Sequence, residues 1–322
     1  DKTTFNEDIS NWNVSNVVNL GYTFSGTAFN QDINSWNVSK VTYFAALFYN
    51  ATAFNKPLNN WNTSNANSLE WVFRGATNFN QDISSWDTSK AVNMSAIFMN
   101  ATNFDQPVNH WNTGNVTNMD SMFYNAQNFD RGVSLWNTAI VEDMNGIFRN
   151  TKINRPMPTN GNQWSVSNVI DMTGMFEGTP FNYDISSWNT SKVFTMHQMF
   201  RGAKKFNQDI GGWNTSTVKD FKSMFHGAFD FNNGGSSNIN NWNVSKATKM
   251  RTMFQNATSF NQTISSWSFK SSTNRGLLRG FLRSASSYNQ DLTCLDVSHF
   301  ANTKKPKNFN KDSSLVSSKL PK

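Results

Sequence analysis

The sequence predicts an α/β solenoid of about 12 tandem repeats of about 25 residues, each with one short parallel strand and one short helix. Three observations support this fold class. First, an aromatic-Asn pair recurs at nearly constant spacing, as at Phe79 and Phe104, and a tryptophan follows in step, as at Trp86 and Trp111. Second, each repeat combines a strand-like and a helix-like apolar pattern. Third, the 322 residues are 14% aromatic and only 15% charged, so a packed core is expected.

The strand is predicted at the start of each repeat. In FNQDI, the apolar residues Phe79 and Ile83 lie four residues apart on one face of an extended segment, and Asn80 and Asp82 point to the other face. Parallel strands from successive repeats would therefore align the Asn and Asp side chains in rows along one face.

The helix is predicted after the tryptophan. Val41, Phe44, Leu47 and Phe48 have the spacing of one apolar helical face, and the preceding Ser39 can cap the first turn. The Gly or Asn that follows the segment suits a helix end. One repeat alone would expose its apolar face, so the repeats are expected to stack.

The domain organisation follows from the repeat pattern. We interpret residues 1–300 as a single repeat solenoid with insertions at 153–163, 231–241 and 270–283, and residues 301–322 as a terminal cap or tail. Insertions in repeat proteins usually emerge on one face, so those at 153–163 and 231–241 are candidate binding loops. No apolar run reaches the roughly 18 residues of a transmembrane helix, and no membrane span is expected.

The consensus of the repeats, FNQDISSWNTSKV followed by TNMxxMFxxAxxFNQ with x for any residue, resembles the repeats of BspA-like leucine-rich-repeat surface proteins, which include mycoplasma surface lipoproteins. The resemblance extends from Phe5 to about Asp312. It implies an irregular leucine-rich-repeat fold, attachment at the cell surface and an extracellular or cell-surface location. The sequence has no lipoprotein cysteine near its start and only one cysteine, Cys294, so we expect no signal or anchor within it.

Catalysis, cofactors and a metal site are not expected. The sequence lacks the common catalytic and nucleotide-binding motifs, and its four histidines fall in different repeats: His110, His197, His226 and His299. Aspartates such as Asp32 would lie about 4.8 Å from their neighbours on parallel strands, and like charges at that distance repel. Each is therefore expected to accept hydrogen bonds, and a row of calcium ions is the alternative.

Charge is distributed unevenly along the chain. Residues 1–150 contain 7 Lys and Arg against 12 Asp and Glu, a net −5, whereas residues 151–322 contain 21 against 9, a net +12. Lys222 and Arg251 occupy the same position in neighbouring repeats and should stack. We name as the basic stripe Arg201, Lys204, Lys205, Lys219, Lys222, Lys249, Arg251, Arg275 and Arg279.

The basic stripe is either a solvated face or a docking surface for an anionic glycan or other polyanion. Nucleic acid is disfavoured as a partner, because its binders usually expose aromatic rings and here the aromatics are expected in the core. A second candidate surface, named the strand-face ladder, is Asn30, Asp32, Asn80, Asp82, Asn207 and Asp209.

These features favour a non-enzymatic, extracellular adhesion protein that presents its repeat surface to a host or cell-surface protein, a matrix component or an anionic glycan. The alternative is a structural subunit of a head-to-tail filament or surface layer. The opposite charges of the two halves would favour such end-to-end self-association.

Overall fold

The computed structural model describes residues 2–157, 164–269, 276–295 and 308–320. The chain divides into two compact units, Asp1–Ser165 and Val166–Lys322. Regular structure in the described ranges is limited to isolated parallel β-bridges and four 3₁₀ turns. The turns span Lys2–Thr4, Asn233–Gly235, Ser237–Asn241 and Ser317–Lys319.

The predicted α/β solenoid of strand-helix repeats is wrong. Across the described residues no α-helix forms, and parallel pairing between repeats does not extend beyond single bridges, such as Tyr43 with Ser68. The predicted helix cap is wrong for the same reason. Ser39 donates its backbone N–H to Oδ1 of Asn37 at 3.1 Å, which closes a local turn and starts no helix.

A series of tight turns replaces the predicted helix, at residues 45–50 and at the equivalent positions of other repeats, and we name it the turn ribbon. Its backbone bonds alternate between the same repeat and the next one. Leu47 donates its N–H to the carbonyl of Phe44 at 3.0 Å, three residues back, whereas Phe48 donates to the carbonyl of Val72 in the next repeat at 2.9 Å. Every second N–H of the ribbon therefore holds neighbouring repeats together.

Two residues per repeat in the left-handed region prevent an α-helix from forming in the turn ribbon. Their φ angles are 55° at Ala46 and Asn50, and 62° and 73° at Trp71 and Gly75 in the next repeat. A right-handed helix cannot pass through such a residue, because continuous bonds between residues four apart need negative φ throughout. The Gly or Asn predicted to end a helix is left-handed as expected, but it closes a turn.

Side chains replace backbone pairing in the segment predicted as a strand. Oδ1 of Asn30 accepts the N–H of Asn55 at 3.0 Å, and Oδ1 of Asn55 accepts that of Asn80 at 3.0 Å. Further along, Oδ1 of Asn80 accepts the N–H of Asp105 at 2.9 Å. We name this row the asparagine ladder; it satisfies the backbone donors that a β-sheet would otherwise pair.

Stacked aromatic rings fill the core of each unit, which confirms the predicted role of the repeated Phe and Trp residues except at Trp12, which is 61% exposed. Phe73 lies 5.6 and 5.7 Å, ring centre to ring centre, from Phe48 and Phe98 of the flanking repeats. The buried Trp86 also donates its Nε1–H to the carbonyl of Leu58 in the preceding repeat at 3.1 Å. Because this core recurs in every repeat, variation between repeats is concentrated on the surface.

Candidate functional site

A shallow groove of about 460 Å³ crosses successive repeats of the second unit. Parallel bridges join Asp171 to Thr195, Thr195 to Asp220 and Asp220 to Lys249, so these four residues lie in register along it. The full lining is Asp171, Thr173, Phe194, Thr195, His197, Lys219, Asp220, Thr248 and Lys249. Two of its members, Lys219 and Lys249, belong to the basic stripe.

Asp220 is the electrostatic centre of the groove. Its Oδ1 accepts the backbone N–H of Lys222 at 2.9 Å, and its Oδ2 lies 3.1 Å from Nζ of Lys249. Nδ1 of His197 lies 3.7 Å from Oδ1, too far for a hydrogen bond. Burial alone would raise the pKa of Asp220, but these partners outweigh it and hold the pKa below its usual range.

An exposed phenylalanine forms the apolar part of the groove. Phe194 is 46% exposed, and Nζ of Lys219 lies 4.8 Å from its ring centre, a cation–π contact. Phe229 is also exposed, with Nζ of Lys204 at 5.8 Å from its ring centre. The expectation that the aromatics lie in the core is therefore wrong for these two rings.

Lys222, Arg251 and Arg279 occupy one position in three successive repeats, and we name them the basic row. Ser223 donates its N–H to the carbonyl of Arg251 at 3.0 Å, and Thr252 donates to that of Arg279 at 3.0 Å. This register bears out the predicted shared position of Lys222 and Arg251. No carboxylate in the described part of the chain forms an ion pair with any of the three.

Other members of the basic stripe are already paired. Arg201 lies 2.9 Å from Glu177, and Lys205 lies 3.1 Å from Asp230. Lys249 is held by Asp220, as described above. Arg275 lies outside the described residues. Lys204 and Lys219 lie over the rings of Phe229 and Phe194 instead. The stripe thus contains cations paired with a carboxylate, cations over an aromatic ring, and the basic row.

The strand-face ladder serves mainly as internal hydrogen bonding. Oδ1 of its three asparagines accepts a backbone N–H of the next repeat at 2.8–3.0 Å: Asn30, Asn80 and Asn207. Oδ1 of its three aspartates accepts the N–H two residues further on at 2.8–2.9 Å: Asp32, Asp82 and Asp209. Over the residues that the structure covers, no group of three or more His, Cys, Asp and Glu side chains could hold a metal ion.

Sequence reasoning missed Phe194, His197 and Asp220 as members of the site. A signal was available, because the residue after the buried Val of each repeat varies widely, from Thr42 to Phe194 and Lys219. Such variation within a constant repeat marks an exposed position. The contact between His197 and Asp220 had no comparable sequence signal.

Both units are built from one repeat, so the molecule is a tandem-repeat protein. The chain belongs to the family described as Mycoplasma protein of unknown function, DUF285, whose model matches residues 1–74, 58–161, 152–238 and 234–316. This match confirms a mycoplasma-type repeat but does not extend to the BspA-like leucine-rich-repeat assignment. No curated protein matches the chain. Among the described residues, no helix has the length and apolar character needed to cross a membrane.

Proposed function

We propose that the protein is a non-enzymatic, extracellular adhesion protein that binds an anionic glycan through the basic row and the adjoining groove of its second unit. The observation that carries this proposal is the basic row itself. Lys222, Arg251 and Arg279 present three cations in register, and no described carboxylate neutralises them.

Electrostatics favours an anionic partner for this row. Backbones of neighbouring repeats lie about 5 Å apart, so the three cations repel one another in the free protein. A polyanion would relieve that repulsion at several positions at once. Attraction between exposed charges is screened by salt, so the binding should weaken steeply as ionic strength rises.

The groove adds an apolar contact to the charges. His197 precedes the basic row in register, since Gln198 donates its N–H to the carbonyl of Lys222 at 3.0 Å. Asp220, which lines the groove together with Phe194 and Lys219, accepts the backbone N–H of Lys222, so the groove adjoins the row. A sugar ring with an acidic substituent combines an apolar C–H face with a negative charge, which complements the ring of Phe194 and the ammonium of Lys219.

The test is retention on a heparin column across a salt gradient. The variant replaces the basic row with Lys222→Gln, Arg251→Gln and Arg279→Gln. These changes should not disturb the fold, because Glu70 and Asn145 occupy the same position in the first unit. The matched control removes three other exposed cations of the second unit, with Lys192→Gln, Lys205→Gln and Lys246→Gln.

We expect the native chain and the control to elute above physiological salt, and the basic-row variant to elute well below it. Equal shifts in the two variants would show that net charge alone causes retention, which contradicts a site at the basic row. Elution of the native chain below physiological salt would also contradict the proposal.

The head-to-tail assembly is the second candidate function, and the charge difference between residues 1–150 (−5) and 151–322 (+12) favours it. Light scattering coupled to size-exclusion chromatography at low and high salt tests it. Assembly predicts a mass that grows with protein concentration at low salt and falls to the monomer at high salt. A monomer under all conditions would contradict it.

A further inference from the structure

Two large aromatic side chains of the first unit occupy left-handed positions of the turn ribbon. The φ angles are 60° at Tyr22 and 62° at Trp71, and the side chains are 48% and 36% exposed. Bulky residues rarely adopt this conformation because it is strained. Other repeats place smaller residues there, such as Ala46, Ala96 and Ser121. Core packing thus does not account for Tyr22 and Trp71.

These aromatics lie in register around the small Ala46. Tyr22 donates its N–H to the carbonyl of Ala45 at 3.0 Å, and Ala46 donates to that of Glu70 at 2.9 Å, so Tyr22, Ala46 and Trp71 belong to three successive repeats. Two steps between repeats separate Tyr22 from Trp71 by about 10 Å along the stack. Between them the backbone carries only the methyl group of Ala46.

Tyr43 and Glu70 lie near the pair formed by Tyr22 and Trp71. The ring of Tyr43 rests on Gly21, where a Cβ atom would stand only 2.5 Å from Cε1 of the ring. Glu70 is anchored by the hydroxyl of Ser68, which donates to its Oε2 at 2.7 Å. A parallel bridge joins Tyr43 to Ser68, the residue that holds Glu70, and Gly21 under the Tyr43 ring precedes Tyr22 in the chain. Burial raises the pKa of Tyr43, and the charges of Glu70 and Tyr22 raise it further.

Among the described residues, Trp71 already has a protein cation over its ring, whereas the other members of the cluster do not. The guanidinium of Arg74 lies 5.6 Å from the ring centre of Trp71 and 5.4 Å from that of Tyr49. In the described part of the chain, however, no Lys, Arg or His pairs with Glu70 or lies over Tyr22 or Tyr43. One carboxylate and two rings thus lack a protein cation.

We propose that Tyr22, Tyr43, Glu70 and Trp71 form a binding site for a quaternary ammonium group of the choline class. Aromatic faces attract organic cations, and the carboxylate supplies the opposite charge. A quaternary ammonium donates no hydrogen bond and is more weakly hydrated than the ammonium of lysine, so this mostly aromatic site favours it. The net −5 of residues 1–150 adds long-range attraction for a cation.

The experiment is isothermal titration calorimetry of the full chain with choline chloride and, separately, with dimethylbutanol, the uncharged carbon isostere of choline. The variants are Tyr22→Ala, which the alanines at equivalent positions show to be compatible with the ribbon, and Glu70→Gln, which retains the acceptor for Ser68. The control is Trp12→Ala, which removes an exposed aromatic outside the cluster.

We expect saturable choline binding that weakens by at least about tenfold in each variant, is unchanged in the control, and is absent for the isostere. Choline binding that neither variant weakens, or equal binding of the isostere, would overturn the proposal. The site lies in the first unit, so its test is independent of the basic row and of the function proposed above.

The same group can come from a free choline compound or from a lipid headgroup. Cosedimentation with phosphatidylcholine vesicles, with phosphatidylglycerol vesicles as control, separates these sources. Vesicle binding that is lost in Tyr22→Ala would identify a lipid headgroup as the ligand. Choline binding without vesicle binding assigns a free compound. Binding to neither probe would overturn the site.

Discussion

The first unit, Asp1–Ser165, and the second, Val166–Lys322, place opposite charges at one position of the same repeat. In the first unit this position holds Glu70 and Asp120, and in the second it holds Lys222 and Arg251. The backbone bonds are equivalent: Ala96 donates to the carbonyl of Asp120 at 2.8 Å, and Ser223 donates to that of Arg251 at 3.0 Å.

The comparison shows that the bonds between repeats at this position are made by the backbone, so that side chains of different charge are accepted there. Only the peptide groups enter the bonds between repeats, so a carboxylate and a guanidinium are equally compatible with the ribbon. The left-handed position shows the same freedom within its conformational limits. It holds Tyr22 and Trp71 in the first unit, and Gly174 and Gln198 in the second. Each unit can therefore carry its own binding chemistry on one scaffold.

The largest effect on the free energy of unfolding should come from removing equivalent core rings in the two units. This pair of variants tests whether the two cores are packed alike. Phe98 stacks at 3.7 Å on Phe104, and Phe200 stacks at 3.8 Å on Phe206. Because each ring is fully buried, Phe98→Ala and Phe200→Ala should each lower the free energy of unfolding by about 3–5 kcal/mol. Urea titration followed by tryptophan fluorescence measures this.

The control for this pair is Phe194→Ala, which removes a half-exposed ring and should change the free energy of unfolding by less than about 1 kcal/mol. A large loss in only one of the two core variants would mean that the units differ in packing as well as in surface charge.

A smaller loss in the free energy of unfolding should come from truncating an asparagine of the asparagine ladder. Oδ1 of Asn80 accepts the N–H of Asp105, and Oδ1 of Asn207 accepts that of Asn232. Truncation of either leaves a partly buried N–H without an acceptor, so Asn80→Ala and Asn207→Ala should each lower the free energy of unfolding by about 1–3 kcal/mol. The same urea titration measures both variants.

Asn80→Asp is the matched control for the ladder, because it keeps the acceptor oxygen and Asp105 already fills this position in the next repeat. It should retain most of the stability. If the Asp and Ala variants lost equal stability, the side-chain acceptor would not be what holds these repeats together.

The smallest effect on the free energy of unfolding should be the pH dependence that His226 of the second unit contributes in the range where histidine titrates. Burial, and then the charges of Arg201 and Arg283, lower the pKa of His226 from 6.5. The unfolded chain therefore binds the proton first, and the free energy of unfolding should fall as pH decreases below 6.5. The equivalent position in the first unit holds Tyr49 in place of a histidine.

His226→Gln should remove this part of the pH dependence, and Gln255 already occupies the same position in the next repeat. The difference in the free energy of unfolding between the native chain and the variant, measured by urea titration at several pH values, should change sharply below pH 6.5 and little above it. A constant difference across the range would mean that His226 titrates alike in both states.

The sequence predicted the repeat, the core and the shared position of Lys222 and Arg251, because all three depend on spacing alone. It failed on secondary structure for a physical reason. Phe44, Leu47 and Phe48 share one side whether the backbone is an α-helix or a series of tight turns, since both bring residues three and four apart together. No sequence pattern indicated the positive φ angle of Trp71, because large residues rarely adopt this conformation.

By itself, then, the sequence determined the period, the buried set and the charge difference between the halves, because composition and spacing fix these. The tertiary structure decided which partner each backbone group uses and which distant side chains meet. His197, Asp220 and Lys249 lie in three different repeats and form one groove only through the register of the turn ribbon. That register depends on the φ angles and cross-repeat hydrogen bonds of residues that the apolar pattern leaves unspecified.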